Sequence, residues 1–248
     1  MKTSPAAAER VFGLAAAQAA FAVRPDAVKS IAYTAALRRP LADMLREAAR
    51  RRIAYREVDA EELTRMSASV HHEGVCLLVA ARRAPKAADM LESVAEQGLL
   101  LALDGVENPH NIGAILRSAA YFGVRGLIYT GAEGSLPAAA RRVAEGGAEH
   151  VPVLRVQALG GLLREAKGAD IAVIGAGAHA KSSLDRFKWP ERALIVLGHE
   201  QRGLSREAEV QCDKMVRIAG SQQVESLNVS VAAGILLASY AQAHGVGQ

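Results

Sequence analysis

Only two cysteines, Cys76 and Cys212, occur in 248 residues. That is too few for a disulfide framework or a closed metal site, so a reducing, cytoplasmic setting is expected. The seven histidines show no ligand spacing, and no metal is expected. Aromatic residues make up 4% of the chain, which argues against a base-stacking platform for nucleic acid. No apolar run reaches the roughly 18 residues a membrane helix needs, so no membrane partner is expected. The Ala-rich start is interrupted by Glu9, Arg10 and Gln18 before a signal-peptide core can form.

What is present is a chain that is 50% hydrophobic, drawn from Ala, Leu, Val and Gly, which excludes disorder. The net charge is +4 and the pI near 9.2. The charge is unevenly placed. Between Arg24 and Arg56 nine basic residues face three acidic ones, Asp26, Asp43 and Glu47. Such a run is either a solvated face or a phosphate-binding surface. Arg38, Arg39, Arg50, Arg51 and Arg52 offer forked donors to phosphate oxygens and are the candidates for such a surface.

The pattern predicts a helix over residues 6–22, then a small α/β unit: strand 30–33, helix 40–51, strand 53–58, helix 60–66 and strand 75–80. This first domain covers residues 1–84. A linker follows over 85–96, beginning at Pro85 and carrying a helix over 87–97 into the second domain, residues 97–248. There, strands at 99–103, 126–129, 151–154, 170–174, 193–197 and 214–218 alternate with helices at 112–122, 138–144 and 159–166, and a long helix over 227–243 ends the chain. Alternation of this kind means a mostly parallel sheet with helices on both faces, whose ligands bind at the carboxyl ends of strands.

Three loops stand at such strand ends. Glu107–Arg117 reads ENPHNIGAILR, Leu197–Ser205 reads LGHEQRGLS, and Arg217–Gly234 contains SLNVS. Their Asn and Ser residues suit helix caps. Taken together and in this order, they resemble the SpoU/TrmH family of RNA ribose 2'-O-methyltransferases, within the larger knotted SPOUT class. The carrying elements are Asn108–Arg117, Leu197–Leu204 and Ser226–Ser230. The first domain is similar to the family's small substrate-recognition domain through Glu9-Arg10-Val11-Phe12-Gly13 and His72-Glu73-Gly74-Val75, and on that resemblance Arg38, Arg39, Arg50, Arg51 and Arg52 are expected to help hold RNA.

The resemblance implies a C-terminal trefoil knot, a homodimer, and transfer of a methyl group from S-adenosylmethionine to a ribose 2'-hydroxyl of structured RNA, with ribosomal RNA favoured over transfer RNA. It implies that Leu197, Gly198, Gly203, Ile218, Gly220 and Leu227 surround the methyl donor, largely through main-chain groups. It assigns the key role to Arg117, as base or as positioner of hydroxyl and phosphate. Asn111 would orient Arg117 or the ribose, Glu200 the neighbouring loop or an Arg, and Ser226 and Asn228 the reaction centre. The chain departs from the family at His199, where Asn, Ala or Ser is usual, at Gln201, where Gly is usual, at Ala219, where Pro is usual, and at Gln222.

Two other readings compete. One is an RNA-binding protein that kept the fold without catalysis. The other is a dinucleotide-binding oxidoreductase, since Gly175-Ala176-Gly177-Ala178-His179-Ala180 follows an expected strand and matches Gly-x-Gly-x-x-Gly/Ala, with Glu200 where a ribose-binding acid would stand.

Overall fold

The structure, a computed structural model, describes residues 8–131, 136–221 and 223–245; Gln222 and the first seven residues lie outside the described residues. The first sheet has four strands in the order β1 (Ala8–Phe12), β4 (Val75–Ala80), β2 (Val28–Tyr33) and β3 (Ala54–Glu57). β4 is antiparallel to both of its neighbours, and β2 and β3 run parallel. Helices α1 (Leu14–Val23), α2 (Ala42–Arg50) and α3 (Ala60–Ser67) connect them. Asp59 caps α3 by accepting from the Glu62 amide at 2.7 Å.

The helix expected over 6–22 is a strand and a helix instead. Val11 and Phe12 are buried opposite Leu77 and Cys76, and strand pairing overrides the helical preference of the alanines around them. Gly13, at φ 92°, makes the turn between the two elements.

After α4 (Ala87–Glu92), which stops short of the expected residue 97, comes the second domain. Its seven strands lie in the order β7 (Val153–Val156), β6 (Gly126–Thr130), β5 (Gly98–Asp104), β10 (Arg192–Gly198), β8 (Ala172–Ala176), β11 (Lys214–Arg217) and β9 (Ser182–Ser183). Every pairing among the described residues is parallel. The helices are α5 (Pro109–Tyr121), α6 (Ala138–Val143), α7 (Gly147–His150), α8 (Gly160–Gly168), α9 (Arg206–Glu209) and α10 (Val229–His244). Leu99, Leu101 and Leu103 of β5 join Ile115, Leu116, Leu236 and Leu237 in a core under α5 and α10. Leu100 and Ala102 point the other way, into a core with Leu162 and Leu163 of α8. Each fully buried Leu of this kind contributes about 1.5–3 kcal/mol of transfer free energy.

The Gly-x-Gly-x-x-Ala stretch does not open a phosphate loop. Gly175 lies inside β8, where a Cβ would stand 2.8 Å from the Cys212 sulfur, and the Gly177 amide donates to Val216. The chain then runs into β9, with no helix start to hold a pyrophosphate, and the oxidoreductase reading falls.

The two domains are joined by a buried charge cluster. The Arg24 guanidinium forks onto both Glu149 carboxylate oxygens at 2.8 and 3.0 Å and donates to the Ala80 carbonyl at 2.7 Å. Arg82 meets the same carboxylate at 2.8 Å, and Arg141 pairs with Glu9 at 2.9 Å. Burial pulls the Arg82 guanidinium below its ordinary value, while the Glu149 carboxylate opposes that pull. Only 3% of the Glu149 side chain and 12% of the Arg24 side chain are exposed, so removing Glu149 would leave the Arg24 guanidinium out of water without its forked partner and would take one partner from the more open Arg82. Glu149→Ala is expected to lower unfolding free energy in urea by about 3 kcal/mol. Arg65→Ala, which removes the surface partner of Glu61, is expected to leave the urea midpoint unchanged.

Candidate active site

The three loops meet at the carboxyl ends of β5 and β10 and at the start of α10. Asn108 caps α5 by accepting from the His110 amide at 2.9 Å, and Pro109 supplies the preset φ of its first turn. This places Asn111 on the exposed first turn. The Asn111 side-chain amide donates to Glu200 Oε1 at 2.6 Å, and its oxygen accepts from Asn228 Nδ2 at 3.1 Å. Asn228 in turn caps α10, its oxygen accepting from the Ser230 amide at 2.9 Å and from the Ser230 hydroxyl at 2.6 Å. Each amide has one permitted orientation. A carboxylate only accepts, so Asn111 must turn its NH2 to Glu200, and a backbone N–H only donates, so Asn228 must turn its oxygen to Ser230.

Glu200 rides on a tight loop. His199 and Gly203 exchange backbone hydrogen bonds at 3.0 and 2.8 Å, and Gly203 adopts φ 68°. A Cβ on Gly198 would overlap the backbone of Gly203 and Leu204, so only glycine lets the loop fold back this closely. The His199 ring accepts from the Gln201 backbone N–H at 3.1 Å, closing the turn. Asp104, at the end of β5, accepts from the Ser205 amide at 2.7 Å and ties this loop to the first one.

Arg117 stands apart from this chain of amides. Six residues along α5 carry it about 9 Å up the helix and around to a different face from Asn111. Its guanidinium pairs with Glu145 at 2.8 Å. Asn111 bonds to Glu200 and Asn228 while Arg117 pairs with Glu145, and among the described residues no hydrogen bond links Asn111 or Glu200 to an arginine. Ser226 is exposed, and among the described residues its side chain has no hydrogen-bond partner.

Leu197 is buried in the core that also holds Val229, with Ile218 packed against it. Beside them, Gly203 and Gly220 have nothing within 4 Å of the place a Cβ would take. Leu227, two residues before α10, is an exposed apolar side chain.

The basic stretch is less positive than its count. Arg38 pairs with Glu57 at 2.8 Å, Arg50 with Glu47 at 3.5 Å, and Arg51 with Asp26 and Glu47 at 2.7 Å each. The Arg51 hydrogen bond holds the Glu47 carboxyl below its usual range. Arg39 and Arg52 are exposed and have no ion-pair partner among the described residues. Sequence reasoning missed Glu145 and the Glu9–Arg24–Arg82–Arg141–Glu149 cluster. Their partners are up to 132 residues apart, and only the adjacent glycines at 146 and 147 hinted at close packing there.

Comparison with known proteins falls on this geometry. The family model described as the SpoU rRNA Methylase family matches residues 98–238, and the one described as RNA 2'-O ribose methyltransferase substrate binding matches residues 10–85. An Escherichia coli O157:H7 protein named Uncharacterized tRNA/rRNA methyltransferase YfiF is 36% identical over 93% of this chain and 67% of its own length. The 23S rRNA (guanosine-2'-O-)-methyltransferase RlmB of a Burkholderia species is 42% identical over 72% of this chain and 73% of its own. Among solved structures, the SpoU methyltransferase AviRb from Streptomyces viridochromogenes in complex with AdoMet superposes with a TM-score of 0.80 at 25% identity, covering 97% of this chain and 92% of that one.

The amide chain predicts coupling. Asn111→Ala and Asn228→Ala are each expected to lower stability by about 1 kcal/mol. Because they share one hydrogen bond, the double variant should fall short of the sum by at least about 0.5 kcal/mol in urea unfolding. Simple additivity would show that the contact carries no energy.

Proposed function

Because the chain belongs to the SpoU rRNA methylase family, we propose that it transfers a methyl group from S-adenosylmethionine to a ribose 2'-hydroxyl of ribosomal RNA, in the cytoplasm. The observation that carries this reading is the hydrogen-bonded chain Glu200–Asn111–Asn228, which draws three distant loops into one site at the strand ends. The small domain matching the substrate-binding model, and the named action of the RlmB relatives on 23S rRNA, favour ribosomal over transfer RNA.

S-adenosylmethionine, when bound, supplies a methyl carbon already made electrophilic by a sulfonium sulfur. The residues present suit that donor. Gly203 and Gly220 leave open space, the main chain of Leu197, Gly198 and Ile218 offers neutral donors and acceptors for an adenine edge, and Leu227 gives an apolar contact.

A ribose hydroxyl is a weak nucleophile and must shed its proton as its oxygen bonds to carbon. Arg117, a cation paired with a carboxylate, is suited to hold the hydroxyl and its neighbouring phosphate and to stabilise charge growing on the oxygen; the released proton passes to water. Asn111 and Glu200 keep the first and second loops in register, Asn228 fixes the start of α10, and Ser226 lies within reach of the bound RNA. With three of the five candidate arginines paired internally, Arg39 and Arg52 carry most of the phosphate contact, and Arg38, Arg50 and Arg51 reach RNA only by exchanging their carboxylates.

The strand order supports the knot: β10 is inserted between β5 and β8, β11 lies beyond β8, and α10 returns to pack on α5. Leu227, Val231 and Ile235 recur every fourth residue, exposed near and along α10, and Tyr121 is 83% exposed at the end of α5. That apolar stripe on two packed helices supports a homodimer formed through them.

Arg117→Ala is expected to lower methyl transfer from labelled S-adenosylmethionine to RNA from cells lacking the protein by a factor on the order of 1,000. Its fold, measured by circular dichroism, should be unchanged. Arg39→Glu with Arg52→Glu should weaken RNA binding and flatten its dependence on salt. Full transfer by the Arg117 variant would contradict the assignment.

A further inference from the structure

We infer that Glu145 is a positioning residue, which holds the Arg117 guanidinium in the orientation it uses in methyl transfer. The inference rests on Arg117 being essential, as proposed above. Glu145 Oε1 lies 2.8 Å from Arg117 Nη1, across the turn between α6 and α7. It is one of five described non-glycine residues with positive φ, at 45°, a conformation that side chains with a Cβ rarely adopt. The surroundings hold it there. The Glu145 amide donates to the Arg142 carbonyl at 3.0 Å, and the Gly147 amide to the Ala144 carbonyl at 2.8 Å.

The two glycines that follow are clamped on opposite sides. A Cβ on Gly147 would stand 2.8 Å from the Leu116 carbonyl oxygen and 3.1 Å from the Arg117 Cα, so the turn presses directly on α5 where Arg117 leaves it. A Cβ on Gly146 would stand 2.6 Å from the Cβ of Ala19 in α1, so the small domain backs the turn from behind. Glu149, two residues beyond Gly147, anchors the segment through Arg24 and Arg82. The Glu145 side chain therefore projects from a fixed backbone, while the Arg117 stem is long and rotatable.

Both side chains are about half exposed, 59% for Arg117 and 49% for Glu145. A pair this open to water adds little to stability. Orientation is a different matter, because a guanidinium displaced by an ångström loses its alignment with the reacting oxygen.

The test uses the full chain, RNA from cells lacking it, and single-turnover transfer from labelled S-adenosylmethionine at saturating RNA. Glu145→Gln keeps the side-chain length and the same backbone demand. It should slow the chemical step about tenfold, with RNA affinity and melting temperature unchanged, and Glu145→Asp should restore part of the rate. In an Arg117→Lys background, Glu145→Gln should produce no further loss, since it acts through the guanidinium. An unchanged or faster rate in Glu145→Gln would overturn the inference, as would a fall in melting temperature that accounts for the lost rate. If Arg117→Ala also transfers normally, the reading of Arg117 fails and this inference with it; if Arg117→Ala is inactive while Glu145→Gln is not, only the positioning role fails.

Discussion

The side chain of Asn111 is the joint at which the three loops meet. It is a single primary amide, with one end that donates and one that accepts, placed between a carboxylate 89 residues away and a second amide 117 residues away. The carboxylate fixes which way it faces, and that choice fixes Asn228, which fixes the first turn of α10. Asp would set two carboxylates against each other, and Ser is too short to reach both. Together with Asp104, which accepts from the Ser205 amide, this side chain holds the loops that bear Gly203 and Asn228 against the first one.

A second constraint is the buried charge cluster between the domains. Three guanidinium groups and two carboxylates sit where the small sheet meets α6 and α7. Buried ion pairs are poor sources of stability but strict about geometry. They fix how the small sheet sits against the helices that adjoin Arg117. The basic residues of the first domain divide accordingly. Arg24 and Arg82 pair with Glu149, Arg38, Arg50 and Arg51 are matched by local carboxylates, and Arg39 and Arg52 have no ion-pair partner among the described residues.

Much of this was legible in the residues. Continuous apolar runs such as Leu99–Leu103 identify strands buried on both faces, and Val75–Ala80 matches β4 to the residue. The loops bearing Asn111, Glu200 and Asn228 were marked by their cap residues and by family resemblance. What stayed hidden depended on partners remote in sequence. Ala8–Phe12 becomes a strand because β4 is there to pair with it, and Gly175 is a packing glycine because Met215 and Cys212 press on it from β11 and the turn before it. The count of +6 over Arg24–Arg56 could not show that Glu57, Glu62 and Glu149 neutralise part of it. Short α7 carries no periodicity of its own, and with it the partner of Arg117 was missed.

The central claim is that these loops form a site for methylating a ribose oxygen of RNA. A methyl group on O2' removes the hydroxyl that alkali needs to cleave the next phosphodiester, so the modified position survives hydrolysis as a dinucleotide. The most direct measurement is therefore alkaline hydrolysis of RNA labelled by the purified protein from methyl-labelled S-adenosylmethionine. The label is expected in an alkali-resistant dinucleotide. Label in a mononucleotide, which would place the methyl on a base, or no label in the RNA at all, would contradict it.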